Sequence, residues 1–220
     1  MSSASKLTTK SVFPLPVGPL TSTVLVSGPT GSGKTLFVVK LLAEDMFQYR
    51  PNRVIWVYSE WQPAYSSLAA QVEFTKAVDD ELYNSLDPRV RNLVVLDDQM
   101  SKAGDSKILS RLFSEGSHHR NLSIIYIVQN LFDKGRAHRT VSLNAQYIVL
   151  FKNPRDKSQI DCLARQMYPH NATFLRSAFQ EATLRPYGYL FLDLRPETPE
   201  PLRVRACIFP SDDHTQVYLP

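Results

Sequence analysis

The segment GPTGSGKT at residues 28–35 directly follows the apolar run TVLVS at 23–27. Together they constrain the fold more than any other feature of the chain. They read as a strand ending in a complete GxxxxGKT phosphate-binding loop, and residues 36–47 continue as a helix-like run. Each residue type has a physical task. Gly28, Gly31 and Gly33 let the backbone curl without side-chain clash, so successive N–H groups turn inward toward phosphate oxygens. Pro29, Thr30 and Ser32 fill the remaining loop positions and belong to the same candidate binding set. Lys34 is placed to reach β- and γ-phosphates, and the Thr35 hydroxyl to ligate Mg²⁺. The helix that begins here adds its positive dipole end beneath the phosphates. A chance glycine-rich turn is the alternative. The preceding strand, the full match and the following helix pattern argue against it, and a nucleoside triphosphate is the expected ligand.

The chain has 220 residues, enough for one well-filled three-layer domain. Its 43% hydrophobic content is ordinary for a globular protein. A formal charge of +4 and a pI of about 9.0 are compatible with nucleic acid without being diagnostic. Cys162 and Cys207 form no CxxC pair and have no histidine at zinc spacing, so buried thiols in a reducing compartment are expected. No apolar stretch has transmembrane length and no signal peptide is visible, so an intracellular protein without a membrane segment is expected.

Residues 1–22 are rich in Ser, Thr, Lys and Pro and read as an arm. The domain is expected over 23–210, followed by a tail at 211–220. Within the domain, apolar runs alternate with helical patterns. Strands are expected at 24–27, 53–59, 72–76, 92–97, 122–128 and 146–151. Residues 187–194 and 202–209 read as a late hairpin around a proline-rich turn. The helix at 35–47 is apolar nearly all round, which predicts burial. Ile108, Leu109, Leu112 and Phe113 share one helical face, as do Ile160, Leu163, Ala164 and Met167. Continuously apolar strands predict a sheet covered on both faces, and helical crossovers predict parallel pairing. The fold class is therefore α/β, one P-loop domain with a mainly parallel central sheet and its phosphate loop at the carboxyl edge.

Two further segments carry chemistry. LVVLDD at 93–98 resembles a Walker B strand, which would bring two acids beside the phosphate loop. Asp97 is the candidate Mg²⁺ partner, and Asp98 the candidate base that orients and deprotonates the attacking water. A solvated Asp-Asp turn is the alternative. Asp98 is one methylene shorter than the glutamate many motor ATPases carry there. Gln129 ends the buried run IIYIV at 124–128, where an amide either senses a γ-phosphate or caps the strand. The absence of an NKxD motif disfavours a GTPase. A small-molecule phosphotransferase is disfavoured by the acidic pair, although residues 134–139 (KGRAHR) imitate an arginine-rich lid.

The order GPTGSGKT, VIWVYSEWQPAY, LVVLDD, SIIYIVQNLF and HRTVSLNAQYIVLFKNPRD, followed by ARQMYP and PYGYLFLDL, resembles the FtsK–HerA superfamily of P-loop motors. Within it, the chain is most similar to genome-packaging ATPases of poxviruses and other eukaryotic DNA viruses and of Maverick/polinton elements. The resemblance spans roughly residues 20–210; the Walker segments are generic, and the later stretch is the specific part. It implies a RecA-like ATPase core using ATP and Mg²⁺. It implies a homo-oligomeric ring, pentamer or hexamer, that moves double-stranded DNA into a capsid through a vertex or portal-like partner. It implies a location in the host cell, nucleus or cytoplasm, and association with the virion. It also implies a trans arginine finger, for which Arg120, just ahead of the sensor strand, is one candidate and Arg136 and Arg139 are rivals. The other functional class left open is an ATP-dependent DNA-binding accessory, such as a helicase loader or transposition regulator.

Overall fold

The computed structural model describes residues 5–9, 21–97, 107–116, 120–132 and 141–220. Asp98, Arg136 and Arg139 lie outside the described residues. The described strands are β1 (Ser5–Thr9), β2 (Thr23–Ser27), β3 (Arg53–Tyr58), β4 (Glu73–Thr75), β5 (Asn92–Asp97), β6 (Leu122–Val128), β7 (Tyr147–Phe151), β8 (Tyr189–Asp193), β9 (Val204–Ala206) and β10 (Thr215–Leu219). They form one ten-stranded sheet in the order β1-β10-β9-β8-β7-β2-β6-β5-β3-β4. From β7 to β4 all neighbours are parallel; from β7 out to β1 they are antiparallel.

Both faces of the parallel part are covered, as its unbroken apolar strands require. Every residue of β5 is buried. Successive side chains alternate between two cores. Leu25, Val94, Leu96, Ile124 and Ile148 face one, which also takes Leu163, Leu175 and Ala178 from helices α4 (Ser158–Met167) and α5 (Ala172–Ala182). Val24, Val26, Trp56, Val95 and Val149 face the other, together with Phe37, Val38 and Leu41 of helix α1 (Lys34–Ala43). The same first core receives Leu82 of α2 (Asp80–Ser85) and Leu109 of α3 (Lys107–Arg111). The architecture is a three-layer α/β sandwich of the RecA-like P-loop type.

Three expectations are corrected. Residues 211–220 are not a tail, because β10 takes a place between β9 and β1, with Thr215, Gln216, Val217 and Tyr218 buried. Part of the expected arm is β1, which pairs antiparallel with β10. The helix at the phosphate loop is shorter than 35–47 and buries one face only; Leu36 is 58% exposed. It stops where Asp45 turns to φ 49, a left-handed conformation that ends an α-helix. The late strands do pair as an antiparallel hairpin, β8 with β9.

That hairpin is pinned by a buried ion pair. Asp193, 1% exposed, accepts from Arg205 at 2.9 Å and from Arg195 at 3.1 Å. Burial pushes the Arg205 guanidinium below its usual range, and the Asp193 charge opposes that shift. The strand arrangement places β6 between the phosphate-loop strand β2 and the acid-bearing strand β5. All three are parallel, so their carboxyl ends open on one sheet edge.

Candidate nucleotide site

The phosphate loop leaves β2 at Ser27 and is tied at once to its neighbour, the Gly28 N–H donating to the Val128 carbonyl at 3.2 Å. Gly28 is required by close approach: a Cβ there would lie 2.7 Å from the Phe151 Cβ and 2.7 Å from the Ser32 hydroxyl. Gly33, at φ 102, is the left-handed residue from which α1 starts. The Phe37 N–H then bonds back to the Gly33 carbonyl at 2.9 Å. Lys34 is buried, and its ammonium donates to the carbonyls of Gly28 at 2.7 Å and Pro29 at 3.0 Å.

Asp97 ends β5 on the same edge and is 3% exposed. Its Oδ2 accepts from the Thr35 hydroxyl at 3.2 Å and from the Tyr65 hydroxyl at 2.8 Å. The loop threonine and the first acid, 62 positions apart in sequence, are thus in direct contact. A cleft of about 380 Å³ opens over them, bounded by Thr30, Gly31, Lys34, Thr35, Asp97 and Gln129. Gln129 is exposed, one residue beyond β6.

The cleft's donor set fits a hard divalent cation. Thr35 and Asp97 offer oxygen ligands side by side, and Mg²⁺ is characteristically held by one or two protein oxygens with phosphates and waters completing its shell. Among the described residues no group of three or more His, Cys, Asp or Glu gathers into a metal cage.

Arg120 lies elsewhere. It precedes β6, at the amino ends of the parallel strands, and β6 has seven residues, which puts roughly 20 Å between the two sheet edges. Its guanidinium donates to the Leu86 carbonyl at 3.1 Å and sits 5.1 Å from the centroid of the Tyr83 ring. Its own carbonyl accepts from Asn92 at 2.9 Å. The side chain is therefore remote from the cleft of its own chain and faces away from it.

Sequence reasoning missed three residues here. Tyr65, fully buried, comes from the 3-10 turn Pro63–Leu68 after β3 and aims its hydroxyl at Asp97. Tyr187 borders the cleft from the far end of the chain. Gln159, on α4, accepts from the Leu131 N–H at 2.9 Å and the Ser27 hydroxyl at 3.4 Å, so it ties the end of β2 to the segment following Gln129. Gln159 is held in turn by Asp156, which also accepts from the Ser158 N–H. The Ser158 hydroxyl hydrogen bond, helped by Gln159, keeps the Asp156 carboxyl below the usual carboxylate range. The NPRD segment at 153–156 is a turn that leads into α4; the Asn153 side chain accepts from the Arg155 N–H within it. Apart from Tyr187, whose segment lies in the late stretch, only the phrase WQPAY carried a signal, and it does not reveal which ring reaches the acid.

No family model matches the chain, and no curated protein matches it in sequence. Solved structures do match in fold. The genome-packaging NTPase B204 from Sulfolobus turreted icosahedral virus 2, in complex with ATP-γS, superposes with a TM-score of 0.54 at 14% identity, over 90% of this chain and 97% of that one. This chain is similar in fold to a viral genome-packaging NTPase. The B204 DNA-packaging ATPase from Sulfolobus turreted icosahedral virus gives a TM-score of 0.54 at 13% identity, over 90% of this chain and 97% of that one. The KaiC-like protein PH0186 from Pyrococcus horikoshii OT3 gives 0.50 at 16% identity, over 91% of each chain.

Proposed function

We propose that the chain is an ATP-hydrolysing motor that translocates double-stranded DNA to package a viral or virus-like genome into a capsid. The observation that carries the hydrolysis reading is the contact between Thr35 and Asp97 at the mouth of the phosphate loop. A buried carboxylate beside the loop threonine is what a loop that holds its triphosphate together with Mg²⁺ requires. In this reading the N–H groups of the loop beyond Pro29 wrap the β- and γ-phosphates. Lys34 exchanges its two carbonyl partners for phosphate oxygens. Thr35 and Asp97 hold Mg²⁺, which supplies charge neutralisation at the transferring phosphoryl group. Asp98, following directly in sequence, orients and deprotonates water, and Gln129 senses the γ-phosphate across the cleft.

The packaging half of the reading is supported by the fold shared with B204 and by the sequence resemblance. It brings with it a homo-oligomeric ring, pentamer or hexamer, a capsid-vertex partner, and a location in the host cell and with the virion. Arg120 is the proposed trans arginine, a reading supported by its distance from the cleft of its own chain. It stands on the opposite edge of the sheet, beside Leu86 and Tyr83. Arg136 and Arg139 remain its rivals by sequence.

The test is Mg²⁺-dependent ATP hydrolysis by the purified protein, titrated with duplex DNA. Hydrolysis that rises with duplex and is abolished by Lys34→Ala supports a motor. No hydrolysis under any condition, with capsid protein included, refutes it. Duplex binding that follows ATP occupancy without turnover assigns the chain to the switch-type accessories instead.

A further inference from the structure

The cleft over Thr35 and Asp97 accounts for the phosphate end of a nucleotide. A second cavity, of about 340 Å³, lies on the other flank of the phosphate loop. It is walled by Gly31 and Ser32 of the loop, by Phe151 and Lys152 at the end of β7, and by the 183–188 connection between α5 and β8. Gly31 and Tyr187 border both cavities, so the two flank the same loop. Its size falls within the roughly 300–1,000 Å³ of small-molecule sites.

The 183–188 connection is a built structure. The Thr183 hydroxyl caps the end of α5 through the Phe179 carbonyl at 2.7 Å, and the Leu184 N–H bonds to Glu181 at 3.2 Å. Residues 185–188 then close a tight turn, the Gly188 N–H donating to the Arg185 carbonyl at 3.0 Å. Pro186 occupies the second position of that turn. Tyr187 occupies the third with φ 60, where a type II turn ordinarily places glycine or asparagine. A bulky side chain at positive φ is strained, and such strain persists where the surrounding structure and a function hold it. Most of the ring's surface is left uncovered. Tyr187 is 68% exposed and Leu184 74% exposed, so two large apolar side chains stand in water beside the phosphate loop. The Tyr187 ring also lies against the loop, its Cδ1 3.2 Å from where a Gly33 Cβ would be.

We infer that this connection is the nucleobase seat: the Tyr187 ring stacks on the base, and Leu184 and Pro186 form the apolar rim. The inference rests on the phosphate-loop reading above and goes beyond it to the other end of the ligand. A triphosphate with its terminal phosphate facing Asp97 and Gln129 runs back along the loop, and its base emerges on the flank where the second cavity lies. The seat's chemistry also sets its selectivity. Among the described residues no Asp or Glu borders the second cavity, so none of their carboxylates reads the N1–H and exocyclic amine of guanine. Stacking on an aromatic face is tolerant of base identity. The seat therefore takes the base by stacking, with ATP and GTP bound within about tenfold of one another.

Calorimetric titration of wild type with Mg-ATP, Mg-GTP and Mg-tripolyphosphate tests this, alongside Tyr187→Ala, Tyr187→Phe and Leu184→Ala. Tripolyphosphate has phosphates and no base. Tyr187→Ala is expected to weaken Mg-ATP binding roughly tenfold and leave tripolyphosphate affinity unchanged. Tyr187→Phe keeps wild-type affinity for both, and Leu184→Ala loses a few-fold for ATP alone. Equal loss of ATP and tripolyphosphate in Tyr187→Ala would make Tyr187 a support of the phosphate loop and overturn the seat. Unchanged ATP affinity in both alanine variants overturns it as well. A wild-type protein that binds neither ligand refutes the phosphate-loop reading itself, a result distinct from either.

Discussion

Replacing Tyr65 by Phe removes one oxygen from a fully buried ring and leaves its packing against Trp56, Tyr58, Trp61 and Phe74 intact. What is lost is the 2.8 Å donation to Asp97, a carboxylate only 3% exposed. A hydrogen bond to a buried charged group is worth about 1.5–3 kcal/mol. For a domain of this size each kcal/mol moves the thermal midpoint by about 2–4 °C, so Tyr65→Phe should lower it by about 3–12 °C. Saturating Mg-ATP should narrow that gap. In the nucleotide-free protein, Tyr65 and Thr35 are donors that compensate the buried charge. When Mg²⁺ binds at Asp97 it takes over that compensation, so the carboxylate depends less on Tyr65. The ligand-induced rise in midpoint is therefore expected to be larger for Tyr65→Phe than for wild type. Thermal unfolding followed by circular dichroism, with and without Mg-ATP, reads both numbers. A variant that unfolds with wild type would show that Tyr65 does not hold the acid. A deficit that Mg-ATP leaves unchanged would separate Asp97 from the metal and refute the proposed ligand pair.

Three further outcomes follow from the geometry. Gly33→Ala introduces a Cβ at φ 102 and 3.2 Å from Tyr187, so it should abolish ATP binding in equilibrium titration while costing about 1–3 kcal/mol of stability. Asp193→Asn leaves Arg205 buried beside a neutral amide and should destabilise the fold by about 3–5 kcal/mol in urea unfolding, as removal of one partner of a buried pair does. Glu73 is held below the usual carboxylate range by its hydrogen bond from Arg53, which lies 2.7 Å away as an ion pair. The pair is surface-exposed, so Glu73→Gln should cost at most about 1 kcal/mol at neutral pH. Because the folded pKa is the lower one, that difference is present above the unfolded carboxyl pKa of about 4.3 and fades as pH falls through the folded value. Urea midpoints at pH 7 and pH 3 read it.

The parts of this molecule legible in its sequence are those encoded locally. The β5 run at 92–97 and the β6 run at 122–128 carry their boundaries in unbroken apolar stretches ending in a polar residue. The approach of Thr35 to Asp97 was readable because two motifs fix both ends, even across 62 positions. Strands β1 and β10 were missed because their stability comes from pairing with each other across nearly the whole chain, and neither shows an apolar run of its own. The helix after the phosphate loop misled by composition. Leu36 is apolar yet exposed, because the third position of that helix faces the nucleotide cleft and not the sheet. Tyr65 and Tyr187 were not assigned for a related reason. Nothing local marks a tyrosine as the one that meets an acid 32 residues away, or as the one that bends into positive φ beside a loop it follows by more than a hundred residues.

The central claim is that the Thr35–Asp97 site turns ATP hydrolysis into movement along duplex DNA. Displacement of a third strand from a triplex block on linear duplex measures that movement directly. The account predicts displacement by wild type with Mg-ATP, and none with a non-hydrolysable analogue or with Lys34→Ala. ATP hydrolysis that proceeds on the same DNA while the third strand stays in place would contradict it.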